Sequence, residues 1–383
     1  MVSTWTMIAT GRRRGRELTF YPGVLKSIVL PILIRYVCLF RQQERPAQLV
    51  GLQHEAAHKR DETMDKQKEP NFLGAIVLLA PARNEVTFWR RTSRFCFLMR
   101  AVRSVDQHLN QHYGPYPIYI LVANDYELHP RHTDGPYTEK DRALIRSWAP
   151  HSEIIFQKIN LYSEDALEPG TTIDQITKWR KGEGGATGGR DLGYQSMCRL
   201  WSGRLQTMEF LRRFKYYLRI DDDSLFTAKL PFDPFQEMDA HGLIFAWRRD
   251  FFEPWGIAKL TQLINRHIRN ETGKGPPFLK QQTYVGFEPY NNFHVSCVSF
   301  WASAKWQAFW NDLNEEHAFF KHRLGDAGVH AAAMMMMPSD KVARWSSYPY
   351  VHASNDMRDG WAPKAWKLEC EAADEQYGIV RHG

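Results

Sequence analysis

Three apolar segments with polar ends mark the start of the predicted folded part of the chain. Residues 72–85, FLGAIVLLAPARNE, form a continuous apolar run that a proline and a polar turn end. Such a run is typical of a strand buried on both faces of a parallel sheet. Residues 97–113 carry apolar side chains at helical spacing, and residues 116–126, YPIYILVANDY, form a second buried run. Strand, helix and strand within about 55 residues predict a right-handed βαβ unit and an α/β domain.

Polar side chains follow both predicted strands. Arg83 and Asn84 come after the first strand, and Asn124 and Asp125 come after the second. In α/β sheets, ligands bind outside the carboxyl ends of the strands. We therefore expect these polar turns to lie at a binding edge.

A third apolar run ends on three consecutive aspartates, in the segment YYLRIDDDS at residues 216–224. The aromatic and β-branched residues predict a short central strand, with Asp221, Asp222 and Asp223 at its carboxyl end. Carboxylates at i and i+2 of an extended segment point to one side, where a hard cation such as Mn²⁺ or Mg²⁺ relieves their repulsion. Such a cation bridges to a diphosphate in nucleotide-sugar glycosyltransferases. A solvated acidic turn or a helix N-cap is the alternative for this motif taken alone.

The N-terminal part of the chain has a different character. Residues 1–23 form a basic tail, and residues 24–40, VLKSIVLPILIRYVCLF, are mostly apolar and resemble a signal anchor with type II topology. Lys26 and Arg35 leave only eight residues between them, fewer than the ~20 of a bilayer span. A cleaved signal or interfacial helix and a soluble extension therefore remain alternatives. Residues 41–70 are charged and read as a linker, so we predict a catalytic domain at residues 71–383.

Composition narrows the class of protein. A content of 43% apolar residues suits a globular core, and four charges of the net +7 lie in GRRRGR at residues 11–16. We predict no nucleic-acid partner. The five cysteines lack metal-ligand spacing, which excludes a zinc finger. Disulfides are expected only if the chain is luminal, and the sequence leaves their pairing open.

Four blocks together resemble the fungal α-1,2-mannosyltransferase family, glycosyltransferase family 15. Their order and approximate spacing match across roughly residues 71–355, and the first predicted strand ends in Ala-Arg-Asn as in that family. The blocks are YQSMCRLWSG at residues 194–203, YYLRIDDDS at 216–224, PYNNFHVSCVSFWAS at 289–303 and GDAGVHA at 325–331. The resemblance implies a GT-A fold with a Rossmann-like mixed sheet flanked by helices. It also implies a GDP-mannose donor, Mn²⁺ (or Mg²⁺), and retention of anomeric configuration.

The resemblance assigns roles by position. Asp221 stands at the glutamate of the family's Glu-Pro-Asp motif, so Asp221 and Asp223 are predicted metal ligands, and Asp221 also belongs to the donor site. His330 matches a family histidine and is predicted as the third ligand, with a structural histidine as the alternative. Candidate donor-binding residues also include Arg83, whose guanidinium suits phosphate oxygens, with Asn84 and Asp125 at the same edge.

Two further matches concern the donor and acceptor site. Tyr194 is a candidate catalytic residue and Arg199 a candidate donor-binding residue. A core tyrosine and an arginine in a surface ion pair are the respective alternatives.

One departure from the family lies at His294, where the family has a glutamate. A retaining double displacement needs a carboxylate near the anomeric centre, and an imidazole is a poor substitute. Three alternatives follow for His294 as a catalytic position. The acceptor attacks on the front face, another carboxylate such as Glu288 or Asp326 serves, or the activity has changed.

The resulting hypothesis is a Mn²⁺-dependent mannosyltransferase that extends α-1,2-linked mannose on a mannosyl glycan or glycoprotein in the Golgi. It would be held in the membrane by residues 24–40, with a luminal catalytic domain. A glycan- or nucleotide-sugar-binding pseudoenzyme of the same fold is the first rival. A metal-dependent phosphoester hydrolase is weaker, because two-metal hydrolases need more His and Asp ligands than cluster here.

Overall fold

The predicted βαβ unit forms the centre of the main sheet. The computed structural model describes residues 72–81, 94–128, 136–187, 191–253, 256–272 and 286–352. Strand β1 (Phe72–Leu79) pairs in parallel with β2 (Ile118–Ala123), and helix α1 (Arg94–Val105) lies between them in the chain. A π-helical turn at Asp106–Asn110 and the short helix α2 (Gln111–Tyr113) continue α1. The predicted order of strand, helix and parallel strand is confirmed.

The sheet has seven strands in the described part of the chain. Their order is β10, β6, β9, β4, β1, β2, β3, where β3 is Ile154–Ile159, β4 is Phe214–Ile220, β6 is Phe245–Trp247, β9 is Phe293–Cys297 and β10 is Val342–Arg344. Strand β9 runs antiparallel to β4 and β6, and the other neighbours are parallel. The sheet is therefore mixed, as predicted.

Successive side chains of β1 point to opposite faces of the sheet, so the strand contributes to a hydrophobic core on each face. Ala75 and Val77 point to one face, Ile76 and Leu78 point to the other, and all four are fully buried. Both faces are covered because helices pack on each side, which explains why the strand reads as a continuous apolar run.

Helices and small strands complete the described fold. Thr138 and Asp141 form a capping box at the start of the helix Glu139–Ser147, and Asp233 caps the helix Pro234–His241, which ends at Gly242 in the left-handed conformation. The remaining helices are α3 (Glu139–Ser147), α4 (Ile173–Arg180), α5 (Leu192–Arg199), α6 (Glu209–Arg212), α7 (Pro234–His241), α8 (Ile257–Thr272), α9 (Val298–Trp301), α10 (Ala304–Glu315) and α11 (Asp326–Met336). Two small antiparallel ribbons pair β5 (Ser224–Phe226) with β11 (Tyr350–His352), and β7 (Asp250–Phe252) with β8 (Phe287–Pro289).

The predicted N-terminal segments lie outside the described residues. This applies to the basic tail at 1–23, the candidate anchor at 24–40 and the linker at 41–70. All described residues belong to one compact unit, Lys68–Gly383, which contains the predicted domain at 71–383. Among the described helices, none is both long enough and apolar enough to cross a membrane.

Candidate metal and donor site

The three aspartates lie in a tight turn at the carboxyl end of β4. The Asp221 amide donates to the Asn292 carbonyl at 3.0 Å, and the Ser224 amide donates to the Asp221 carbonyl at 3.0 Å. Asp222 points to a different partner, since Arg94 Nε at the start of α1 donates to its Oδ2 at 2.9 Å. Asp221 and Asp223 are therefore left to form a site of their own.

The antiparallel ribbon of β5 and β11 adds a histidine to this turn. Its register pairs His352 with Ser224, the residue after Asp223. His352 Nε2 lies 3.0 Å from Asp223 Oδ1, and the Tyr290 hydroxyl lies 2.5 Å from His352 Nδ1. Although burial disfavours the imidazolium, the Asp223 carboxylate raises the pKa of His352 to about 10.

Asp221, Asp223 and His352 together have the composition of a metal site. Each offers one ligand atom, and these atoms all lie within 4.8 Å of one another. Two carboxylates and an imidazole suit Mn²⁺, and carboxylates suit Mg²⁺. The Asp221 side chain is 23% exposed, so the group is open to an incoming ligand. These residues fit a divalent cation.

The side-chain oxygen of a buried asparagine next to the metal-ligand group lacks a hydrogen-bond partner. Asn292 Oδ1 is buried without a hydrogen bond, while its Nδ2 lies 3.4 Å from both ring nitrogens of His352. An unsatisfied buried oxygen is costly unless a ligand completes it. Its position beside His352 makes Asn292 a further candidate contact for a bound ligand.

A buried arginine fixes the orientation of Asp221. Arg219 Nε donates to Asp221 Oδ1 at 2.8 Å, and its Nη1 donates to Asp326 at the start of α11. The guanidinium also lies 4.3 Å over the Trp201 ring. Burial opposes the charges, but the two carboxylates raise the pKa of Arg219, and Arg219 lowers the pKa of Asp326. Asp326, predicted as catalytic, is therefore an ionised partner of Arg219.

His330 does not belong to the metal-ligand group. It is fully buried on α11, its Nε2 donates to the Trp201 carbonyl at 3.0 Å, and its Nδ1 accepts from Asn291 Nδ2 at 3.2 Å. Both ring nitrogens are thus occupied by the protein. The prediction that His330 is the third ligand is corrected, since β11 places His352 at that position.

His294 is likewise held inside the core. Its Nδ1 donates to the Asn291 carbonyl at 3.0 Å, and its Nε2 accepts from the Tyr217 hydroxyl at 3.2 Å. The ring stacks on Phe245 at 5.0 Å and is fully buried. Burial, with His330 nearby, holds the pKa of His294 well below its usual range. His294 is therefore a neutral structural residue, which does not support its predicted catalytic role.

Two predicted donor-binding residues also have structural partners. Arg199 is buried, its Nη2 and Nη1 donate to Asn314 Oδ1 at 3.0 Å and to the Ala166 carbonyl at 2.8 Å, and it packs over Trp310. Its guanidinium is therefore not available to a diphosphate. Asp125 accepts backbone amides of the loop after β3, at 2.7 to 2.9 Å, from Leu161, Tyr162 and Ser163. It fixes that loop instead of facing the metal-ligand group.

Three further predicted site residues are Tyr194, Arg83 and Asn84. Tyr194 is half-buried in the first turn of α5, where its backbone amide donates to Asp191 Oδ1 at 2.9 Å and its side chain packs against the core. Its assignment as a catalytic residue stays a prediction. Arg83 and Asn84 lie outside the described residues, and their assignment stays a prediction.

A known protein family matches most of the chain in sequence. The sequence model of the glycolipid 2-alpha-mannosyltransferase family matches residues 51–376. The chain belongs to this family. The match begins within the predicted linker and includes all described residues.

Curated members of the family are distant relatives. A glycolipid 2-alpha-mannosyltransferase of Saccharomyces cerevisiae is 24% identical over 277 residues, which cover 68% of this chain and 58% of the relative. Glycolipid 2-alpha-mannosyltransferase 1 of Candida albicans is 27% identical over 199 residues, which cover 48% and 45%. The chain thus spans about half the length of these curated relatives.

Solved structures confirm the GT-A fold of this family member. Core-mannan synthase A (CmsA/Ktr4) of Aspergillus fumigatus, in a Mn/GDP form, has a TM-score of 0.57 at 17% identity, with 79% of this chain and 81% of that chain covered. The mannosyltransferase Ktr4p of S. cerevisiae has a TM-score of 0.58 at 17% identity, with 84% and 80% covered.

The buried histidines of this family member lead to a prediction about pH. Burial lowers the pKa of His330 to about 4, against about 6.5 in an unfolded chain. Between these values the unfolded state binds the additional proton, so this contribution to stability is present above pH 6.5 and is lost as the pH falls towards 4. In the upper part of this window His352 acts with the opposite sign, because its imidazolium is already formed in the folded chain while the unfolded chain still takes up a proton. The raised pKa of Asp222 also acts with the opposite sign.

A comparison with a variant isolates the effect of His330. The free energy of unfolding of wild type relative to His330→Gln is expected to decrease by about 2 kcal/mol from pH 7 to pH 5. Urea unfolding of both proteins at several pH values measures this difference. A difference that does not change with pH would show that His330 is not held neutral.

Proposed function

We propose that this chain transfers mannose from GDP-mannose to a hydroxyl group of a mannosyl glycan, with an α-1,2 linkage and retention of configuration. The observation that carries the proposal is the group of Asp221, Asp223 and His352 at the carboxyl end of β4 in a GT-A fold. Three further observations support the proposal. The chain belongs to the glycolipid 2-alpha-mannosyltransferase family, its relatives are named as 2-alpha-mannosyltransferases, and a protein of similar fold was solved in a Mn/GDP form.

The chain's own residues would prepare the site for the donor. A Mn²⁺ or Mg²⁺ ion held by Asp221, Asp223 and His352 would supply positive charge for the leaving diphosphate. Arg219 fixes the Asp221 carboxylate, and Tyr290 fixes the ring of His352 through Nδ1. Nε2 of His352 must give up its proton before this nitrogen becomes a ligand, so cation binding should release a proton.

The environment of His294 favours front-face attack as the route to retention. The neutral, buried imidazole has both nitrogens bonded, so it offers no nucleophile to the anomeric carbon. Asp326 accepts from Arg219 and from Asn291, which leaves it poorly placed to attack. We therefore infer that the acceptor hydroxyl enters on the side from which the diphosphate leaves, and that neither His294 nor Asp326 acts as a nucleophile.

We also propose a luminal location in the Golgi, with the chain attached to the membrane through residues 24–40. The support is the apolar character of this segment and the state of the cysteines. Cys96 is disulfide-bonded, whereas Cys198 and Cys297 are free. Disulfides persist in oxidising compartments such as those of the secretory pathway.

A transfer assay tests the proposal. The purified full chain, given GDP-mannose, Mn²⁺ and α-methyl mannoside, is expected to release GDP and form an α-1,2-linked disaccharide. EDTA should abolish both signals, because the diphosphate would be bound through the cation, and added Mn²⁺ should restore them. Absence of product with methyl mannoside and with mannan-type oligosaccharides would argue against a transferase.

The buried His294 supports a second candidate function. In a pseudoenzyme of this fold, the donor would bind through the metal site but transfer would be lost along with the family glutamate. Thermal shift separates the two. Mn²⁺-dependent stabilisation by GDP, combined with no transfer to any acceptor, would identify the binding protein.

A further inference from the structure

A groove runs beside the edge strand β3, apart from the metal-ligand group. Its cavity volume is about 790 Å³, within the range of small-molecule sites. Strands β1 and β2 separate β3 from β4 in the sheet, and none of the three candidate metal ligands lines the groove. Its walls come from β3, the residue after β2, and the segment that leads into β4, which includes α6.

A half-buried arginine faces this groove without an ion-pair partner. Arg204 Nη1 donates to the Asn160 carbonyl at 2.6 Å, and its other guanidinium nitrogens bond to no described residue. Burial lowers the pKa of Arg204, while Asp125 and Asp165 offset this only from a distance. A desolvated guanidinium with open donors is suited to a planar or tetrahedral oxyanion.

Two more cations line the same groove. Arg213 lies over the rings of Phe72 and Phe214, at 4.8 and 5.6 Å, which holds its guanidinium in place while its hydrogen-bond donors stay unused by the described residues. Lys158 of β3 is exposed and forms no ion pair within the described chain. Glu209 is the one carboxylate among the lining residues, so the groove has a net positive charge.

The other residues that line the groove suit a polar, uncharged group that is covalently attached to the anion. Asn124 is exposed at the end of β2, and its amide is not used by another described side chain. Phe210 is half-buried and packs on Tyr119 at 4.7 Å, so part of its ring forms an apolar wall. Amides that bind hydroxyl groups, next to an aromatic face, are a common combination for a sugar ring.

We propose that this groove binds a phosphorylated sugar, with the phosphate held by Arg204 and Lys158 and the ring placed between Asn124 and Phe210. The site is separate from the metal-ligand group and does not depend on the proposed transfer.

Binding to the full chain in EDTA tests the proposal without donor chemistry. Isothermal titration with mannose 6-phosphate, mannose and inorganic phosphate is the measurement. Mannose 6-phosphate is expected to bind at least tenfold more tightly than mannose and more tightly than phosphate, with affinity that falls as salt rises. Arg204→Gln should weaken binding at least tenfold, and Lys158→Gln about threefold to tenfold.

The controls separate the groove from general effects of charge and folding. Lys140→Gln removes an exposed cation from α3 and should leave the affinity unchanged. Lys158→Gln changes an exposed side chain, so it keeps the test valid if Arg204→Gln does not fold. Equal affinity for phosphate and mannose 6-phosphate would overturn the sugar part of the proposal. Absence of binding, or loss of binding when GDP and Mn²⁺ are added in place of EDTA, would overturn the separate site.

Discussion

A His352→Ala variant is expected to lose Mn²⁺-dependent binding of GDP, and any transfer activity should fall about 100-fold or more. The physical reason is that the ring of His352 lies with Asp221 and Asp223, within 4.8 Å at the ligand atoms. Alanine removes one of three ligands, and it leaves two neighbouring carboxylates without the positive charge of the imidazolium. The measurement is the rise in Tm with GDP, with and without Mn²⁺, together with GDP release from the donor.

His330→Gln is the matched comparison, because it changes the histidine that the family resemblance assigns as ligand. Both nitrogens of His330 are bonded within the core, so this variant should be less stable but keep its Mn²⁺-dependent response to GDP. If His330→Gln folds and loses that response while His352→Ala keeps it, the assignment of His352 is wrong. Metal binding by the wild type should also release protons, which unbuffered titration detects.

The centre of the fold was predictable because its strands are buried on both faces. The runs that became β1 and β2 have no charged residue, and β4 is interrupted only by Lys215 and Arg219. An apolar run of this kind between polar turns has few alternatives. The short strands β5 and β11 were not predictable. Each has three residues, and they pair across more than one hundred positions of sequence, so no local pattern predicts that they pair.

The same difference separates the site residues that were predicted from the one that was missed. Asp221 and Asp223 follow a readable strand, so their position at the carboxyl edge follows from local pattern. His352 comes to them through the register of β5 and β11 alone. The only signal in the sequence was an apolar and aromatic segment, YPYVH at residues 348–352, ending in a histidine.

Arg199 and Asp125 show the opposite error, in which a plausible chemical role is replaced by a structural one. A guanidinium suits a diphosphate, but it also suits a buried amide and carbonyl, and Arg199 is committed to Asn314 and Ala166. The carboxylate of Asp125 lies at the expected edge of the sheet but binds backbone amides of the neighbouring loop. Residue type and edge position do not distinguish these roles, because the partners are distant in sequence.

Arg219→Met is expected to destabilise the fold by about 3 to 5 kcal/mol, the effect of leaving a buried charge without its partner. The Arg219 side chain is 3% exposed and bridges Asp221 to Asp326, so its loss leaves the buried Asp326 carboxylate and the partly exposed Asp221 carboxylate without their cation. In the folded variant the carboxylates would have to take up protons to remain buried. The free energy of unfolding of Arg219→Met should therefore decrease as the pH rises from 5 to 8. Urea unfolding at several pH values measures both effects.

Arg266→Met is the matched control on the surface. Arg266 forms an ion pair with Glu316 at 2.7 Å, but its side chain is 41% exposed, so the same substitution should cost less than about 1 kcal/mol. Adding Asp326→Asn to Arg219→Met should recover part of the loss, because it removes one of the stranded charges. If Arg219→Met and Arg266→Met destabilised the fold equally, the buried bridge between Asp221 and Asp326 would be contradicted.

The stability of the fold and the orientation of Asp221 both depend on the Arg219 side chain if the bridge is present. Any folded fraction of Arg219→Met should therefore also bind Mn²⁺ and GDP more weakly than the wild type.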